Sequence, residues 1–567
     1  MSGMETSVVL SVPVADDPAG GEARGGETST AARGRFPTAE VVVAVVAFVA
    51  FCVVVLTKAT TLLEPDDSAY LASIVALTHG HLALTSAQYH QVAAELQAHY
   101  GTNILQWDHL SSGLWISEKN PGYPFYALPF QWLGILRAAP LFAGAVASIS
   151  LFIAGRRWLG RWGGTWAVIL FLCSGAAMAF AWRPTMPSFS DAAFVAAGAG
   201  ALLWTMLATD ASPRRRTLAG LAGFVFLEIA VAMRYTDIAV LAVAVLAVAV
   251  MARRCRLPLR SLAWWAGSLV VVGVVVGLFN AHFYGGVTKT GYGAGVITFS
   301  SSAVVPNLRI MPKLLVQAIP GLVLGIAALV WMAVRAVRSR SDAIEPETSR
   351  QWRIDAVVGA WLGLGWLAIW GLYSAYTWTA QMSGGHGPGG PGVHLPAGVH
   401  LPAGVHLPTG LHLPGGGMPD GGQGIHLIRF YVPALGLIAL LGAWLLVQIP
   451  KWLPPIVLGV LCVLGVLSFH SLTAGHGLGQ GGFGNGPLPA GAAGQVPFGG
   501  SQAGGMPAGG MPSGGIGGPG RFPTGSGGAP PSGFGPPPEG ARPPGGRSQG
   551  APPFNGAPPG QRGRQGN

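Results

Sequence analysis

The feature that most constrains this chain is a series of apolar runs, among them Val41 to Leu56, Ile238 to Met251 and Leu262 to Phe279, separated by short arginine clusters. Such runs approach or reach the roughly 20 residues that a helix needs to cross about 30 Å of hydrocarbon. Half of the 567 residues are hydrophobic and only a tenth are charged, and the mean hydropathy is +0.47. That much apolar surface cannot be hidden in one water-soluble core. The expected fold class is therefore an all-α polytopic membrane protein.

Lys and Arg concentrate in cytoplasmic loops, and applying that rule gives about eleven transmembrane helices. They lie near 41–62, 138–154, 164–182, 189–208, 217–233, 238–252, 262–280, 314–333, 355–377, 430–449 and 453–470. Every basic cluster then falls on one side: Arg156, Arg157 and Arg161; Arg214 to Arg216; Arg253, Arg254, Arg256 and Arg260; Arg335, Arg338 and Arg340; Lys451. A polar stretch with Arg24, Arg33 and Arg35 precedes the first run and no small-residue cleavage site follows it, so an uncleaved first span with a cytoplasmic N-terminus is expected. The net charge of +11 is spread over these clusters rather than held on one basic domain, which argues against a nucleic-acid partner. Cys52, Cys173, Cys255 and Cys462 show no metal spacing and no obvious disulfide pair; the expectation is small buried side chains.

This topology divides the chain into a disordered cytoplasmic segment 1–40, a transmembrane domain 41–470 and a disordered tail 471–567. Three long loops, 64–130, 281–312 and 379–428, are placed outside. The first carries aromatics and charges and is expected to fold, with helices over Ser68 to Leu77 and Ala87 to Ala98 along the membrane surface. The third contains four hexapeptide repeats, which place His394, His400, His406 and His412 at a spacing of six. Their Gly and Pro neighbours fix no ligand geometry, so they are read as an inserted low-complexity tract. The tail is dominated by Gly, Pro, Ser, Ala and Gln and lacks the apolar surface to offset its ordering entropy.

Directly after the first span stands Glu64-Pro-Asp66-Asp67-Ser-Ala-Tyr70, three carboxylates within four positions. Adjacent carboxylates raise each other's pKa, so one can act as a general base while the other orients an acceptor or holds a divalent cation. The alternative is a helix cap, because Asp in a first turn complements the helix dipole and Pro65 starts helices well. The same loop ends in Lys119-Asn-Pro-Gly-Tyr-Pro124. Further on come Ala232-Met-Arg-Tyr-Thr-Asp237, Asn280-Ala-His-Phe-Tyr-Gly285, Thr290-Gly-Tyr292 and Arg429-Phe-Tyr-Val-Pro433.

In order and placement these motifs resemble the GT-C class of membrane glycosyltransferases, the families related to protein O-mannosyltransferases and aminoarabinose transferases. Asp66-Asp67-Ser-Ala-Tyr70 followed by Gly80-His-Leu82 is similar to their acidic pair and its helix. Asn120-Pro-Gly-Tyr-Pro124 is similar to their Pro-Pro-Gly-Tyr-Pro, with Asn replacing the first proline. The resemblance implies a GT-C-like long first outer loop and a polyprenyl-phosphate sugar donor. It further implies transfer to a glycan, lipid or protein acceptor on the extracytoplasmic face of the cell membrane, with inversion at the anomeric carbon. Asp66 or Asp67 is then the expected base. Lys119, Arg183, Arg234 and Arg429 are candidates for the donor phosphate, Arg234 foremost and with Asp237 as its expected structural partner. Tyr70, Tyr123 and Tyr292 are candidates for stacking on sugar, although interfacial packing is the default use of tyrosine. Asp191 and Glu228, inside spans, are expected to face a cavity or a cationic partner. No metal ligand set and no certain cofactor is assigned; a divalent cation stays open. Two other classes compete: a transporter, against which stands the lack of paired broken helices in two halves, and a noncatalytic envelope protein that binds partners through its outer loops and tail.

Overall fold

The computed structural model describes residues 38–60, 65–292, 298–338, 346–383 and 421–474. The histidine repeat, Glu64 and nearly all of the Gly/Pro-rich segment lie outside them. In chain order the helices are α1 (Thr38–Leu56), α2 (Pro65–Thr78), α3 (Ser86–Tyr100), α4 (Gly122–Trp132), α5 (Ala138–Leu159), α6 (Gly163–Leu172), α7 (Gly175–Ala181), α8 (Ser188–Leu207) and α9 (Pro213–Met233). There follow α10 (Ile238–Ala252), α11 (Leu259–Tyr284), α12 (Val304–Ala318), α13 (Leu322–Arg338), α14 (Pro346–Ser374), α15 (Thr377–Ser383), α16 (Gly421–Ile428), α17 (Leu435–Gln448) and α18 (Leu453–Thr473).

Among the described residues, eight helices are long and apolar enough to cross a membrane, or up to ten if two bent pairs each count as one span. The chain is thus an all-α, multi-span membrane protein. The first bent pair is α6 with α7, turned by 61°, where the Ser174 hydroxyl caps α7 by accepting from Ala177 N. The second is α12 with α13, turned by 109° at Pro320-Gly321, a dipeptide that cannot continue a helix. The remaining segment of the expected eleven, Val432–Gln448, is apolar but shorter.

Helix α8 forms the centre, with 83% of its span buried, whereas α11 is 6% buried and turns Val270, Val271, Val274 and Leu278 outward. In a bilayer such side chains meet lipid, and every backbone group is satisfied within its own helix. Small residues let the inner helices approach closely: a Cβ on Gly198 of α8 would stand 2.8 Å from the Gly223 carbonyl oxygen of α9.

Two ends of the bundle are distinguishable. At one, Glu40 pairs with Arg161, the Arg157 guanidinium donates to the Leu207 carbonyl at 3.2 Å, and Asp355 accepts from the indoles of Trp158 and Trp444 at 2.9 and 3.0 Å. Arg156, Arg157, Arg161, Arg214, Arg215, Arg253 and Arg254, from the expected basic clusters, collect here. At the other end, Arg137 donates to the carbonyl of Lys58 at 2.8 Å and Lys58 donates to the carbonyl of Thr473 at 2.8 Å.

Between α1 and α5 the chain builds a small folded unit at this second end. It consists of α2, α3, α4 and an antiparallel pair, β1 (Trp107–His109) with β2 (Trp115–Ser117). A core of Leu71, Val75, Leu84, Val92, Leu96 and Trp107 holds it together. Thr85 and Gln88 form a capping box that starts α3. The helices expected over Ser68 to Leu77 and Ala87 to Ala98 are present and slightly longer than the pattern suggests.

Candidate functional site

The acidic pair opens α2, so its two carboxylates leave successive helical positions about 100° apart and meet different surroundings. Asp67 points into the bundle with a side chain 0% exposed, pairs with Arg183, and accepts from the Thr185 hydroxyl at 2.6 Å. Arg183 and Thr185 come from the turn between α7 and α8, so this contact pins α2 to the bundle. Asp66 is 15% exposed and lies between two cations, Lys119 Nζ at 2.9 Å from one oxygen and Arg429 Nη1 at 2.8 Å from the other. The sequence places these two carboxylates side by side; the fold makes one a buried strut and the other the more open member.

Lys119 reaches Asp66 because two glycines permit close approaches. A Cβ on Gly122 would lie 2.4 Å from the carbonyl carbon of Ala232, and one on Gly291 would lie 2.6 Å from the Cα of Glu118. The first contact seats the start of α4 on the end of α9, where the Asn120 amide donates to the Met233 carbonyl at 3.3 Å. The second brings Tyr292 to Lys119, whose ammonium donates to the Tyr292 hydroxyl at 3.2 Å and stands 4.7 Å from the ring centroid. Arg429 follows α16 and stacks on Phe430 at 4.6 Å and on Trp378 at 5.3 Å. A planar guanidinium held against aromatic faces keeps its donor fork oriented.

Arg234 belongs to the same end but contacts different groups. Its Nε lies 2.9 Å from Asp191, while Nη2 donates to the Ser188 hydroxyl at 2.9 Å and Nη1 to the Arg429 carbonyl at 2.8 Å. The expected partner, Asp237, is not the one it pairs with, because Arg234 sits in an extended conformation at the end of α9 and turns its side chain toward the start of α8. Both Asp237 oxygens are buried without a hydrogen-bond partner among the described residues. Asp191 thus has the cationic partner expected of it. Glu228 instead accepts from the Ser268 hydroxyl at 2.9 Å.

Tyr70 and Tyr123 meet edge to face at 5.7 Å, and the Tyr123 hydroxyl donates to the Pro184 carbonyl. Both rings are buried and pack α2 against α4. Of the three candidate tyrosines, Tyr292 contacts Lys119 of the Asp66 group directly. Sequence reasoning passed over Thr185, Ser188 and Trp378, which carry no signal of their own, and gave Phe430 no role although it lies in the motif Arg429-Phe-Tyr-Val-Pro433. It also passed over Glu118, whose place beside Lys119 could have marked it. The hairpin register sets Asp108 opposite Ile116, two positions from Glu118 on the same face, which brings the two carboxyl groups near each other. Burial first, then the Asp108 carboxylate, pushes Glu118 up to about 7, against the opposing pull of Lys119.

The described residues hold no group of three or more His, Cys, Asp or Glu side chains placed to bind a metal. Chemically, the arrangement is two buried cations converging on one semi-exposed carboxylate, with aromatic faces beside it.

No family model and no curated protein matches the chain. Among solved structures, it is similar to the crystal structure of ArnT from Cupriavidus metallidurans in the apo state, with 16% identity over 77% of this chain and a TM-score of 0.42. The crystal structure of the same protein bound to undecaprenyl phosphate gives 14% identity over 76% of this chain and a TM-score of 0.39. This chain spans 65% and 64% of the length of those two chains.

Proposed function

We propose that the chain is an integral membrane glycosyltransferase that moves a sugar from a polyprenyl-phosphate donor to an acceptor hydroxyl on the extracytoplasmic side. The observation that carries the reading is the Asp66 carboxylate bridged by Lys119 and Arg429 at 2.9 and 2.8 Å. A donor phosphodiester bears one negative charge and matches the carboxylate it would displace. Phosphate takes over the ammonium and guanidinium, and the Asp66 carboxylate is released from both. The freed carboxylate accepts the acceptor's O–H proton as that oxygen attacks the anomeric carbon. The bond from that carbon to the phosphate oxygen breaks, its electron pair leaves with the phosphate, and Lys119 and Arg429 stabilise the charge that develops. Attack opposite the leaving group inverts the centre.

Sidedness rests on the arginines. The exposed clusters Arg156 and Arg157, Arg214 and Arg215, and Arg253 and Arg254 occupy the end of the bundle away from Asp66, and a basic end belongs in the cytoplasm. Asp67 is a poorer choice of base, since Arg183 and Thr185 engage its buried oxygens.

The test is transfer from a panel of radiolabelled polyprenyl-phosphate sugars in membranes that contain the wild-type chain, Asp66→Asn or Asp67→Asn at equal expression. Label should reach an acceptor with wild type and not with Asp66→Asn. Equal transfer by wild type and both variants would return the acidic pair to a helix cap, and a silent wild type would favour a noncatalytic envelope protein.

A further inference from the structure

Arg234 was the foremost candidate for the donor phosphate, yet its guanidinium is already engaged along all three edges. Nε faces the Asp191 carboxylate at 2.9 Å, Nη2 the Ser188 hydroxyl at 2.9 Å, and Nη1 the Arg429 carbonyl at 2.8 Å. Asp191 is 0% exposed and Arg234 12%, so exchanging these contacts for a ligand would strand a buried carboxylate. The Arg429 carbonyl lies just beyond the end of α16, where carbonyls have no partner within the helix and a cation is favoured. Phe430 also lies under the Arg234 guanidinium, 5.8 Å from it. One side chain therefore ties the start of α8 and the end of α9 to the peptide that presents Arg429.

We propose that Arg234 is a positioning residue that braces the Arg429 peptide from behind, so that Arg429 can face Asp66 and an incoming phosphate while Arg234 touches neither. The brace itself is independent of chemistry; only its consequence for donor binding rests on the proposed function. Lysine in its place keeps the charge but loses the planar fork and cannot span the three partners. A direct phosphate ligand and a brace then differ in two readouts.

The first is backbone hydrogen exchange of purified wild type and Arg234→Lys without ligand. A brace predicts faster exchange in peptides covering 425–434 and none at the opposite end of the bundle, around 156–161. Unchanged exchange over 425–434 overturns the proposal. The second is binding of farnesyl phosphate by wild type, Arg234→Lys, Arg429→Gln and the double variant. A group that acts through Arg429 weakens binding about tenfold in the wild-type background and less than about twofold once Arg429 is gone. Equal, additive losses in both backgrounds make Arg234 a direct ligand and overturn the proposal. Should wild type fail to bind farnesyl phosphate, the donor reading falls while the exchange measurement still decides the brace.

Discussion

The two ends of the bundle use the same cations in opposite ways. At the basic end, Arg156, Arg157, Arg161, Arg214, Arg215, Arg253 and Arg254 are exposed, and pairs such as Arg157 with Asp210, 62% exposed on the carboxylate side, sit in water. At the other end Lys119, Arg183 and Arg429 are buried and face carboxylates. Exposed charges are screened and contribute little, whereas buried ones need a partner and hold it in one geometry. The basic end carries the more numerous cations, most of them solvated, although Arg216 there is buried; at the other end desolvation of the cations marks where a ligand's charge would matter.

Substitutions at each end test that contrast. The largest effect is expected at the cradle: Lys119→Gln or Arg429→Gln should lower transfer about 100- to 1,000-fold, measured as initial rates at saturating acceptor. Next comes the strut. Asp67→Asn leaves Arg183 buried opposite a neutral partner and should destabilise the chain on the order of 3 kcal/mol, seen as a lowered melting temperature in detergent. Arg157→Gln at the exposed end should change stability by less than about 1 kcal/mol; a loss equal to that of Asp67→Asn would erase the distinction between the ends.

The smallest effect is a pH dependence. Glu118 is raised from an ordinary 4.5 to about 7, so the folded chain holds this proton more tightly than the unfolded chain. The associated stability is complete below pH 4.5 and lost as pH rises through about 7. Glu118→Gln should therefore melt slightly above wild type at pH 8 and together with it at pH 4. The partial exposure of this group keeps the shift small, and a difference at pH 4 instead would contradict the assignment.

Much of this was legible in the sequence, for identifiable reasons. Apolar runs and arginine clusters report on lipid and sidedness directly, so the membrane class and most span positions follow from them. The segments around Asp66, Lys119, Arg234 and Arg429 each follow or precede a span, which places them at one end before any packing is known. Which cation meets which carboxylate was not legible. Asp66 and Asp67 are neighbours in sequence, and only the rotation of α2 sends one to Lys119 and Arg429 and the other to Arg183. Arg234 lies three residues from Asp237, yet the extended backbone at the end of α9 turns it to Asp191, 43 positions earlier. The count of spans was blurred by Pro320-Gly321 and by the break before Ser174, since a bent apolar pair reads in one dimension as a single helix.

We propose that Asp66 occupies the seat of the donor phosphate and becomes the base when displaced. The most direct measurement is farnesyl phosphate binding and sugar transfer on the same preparation of Asp66→Asn. Removing the resident negative charge should tighten binding relative to wild type while transfer is lost. Weaker binding, or transfer at the wild-type rate, would contradict the account.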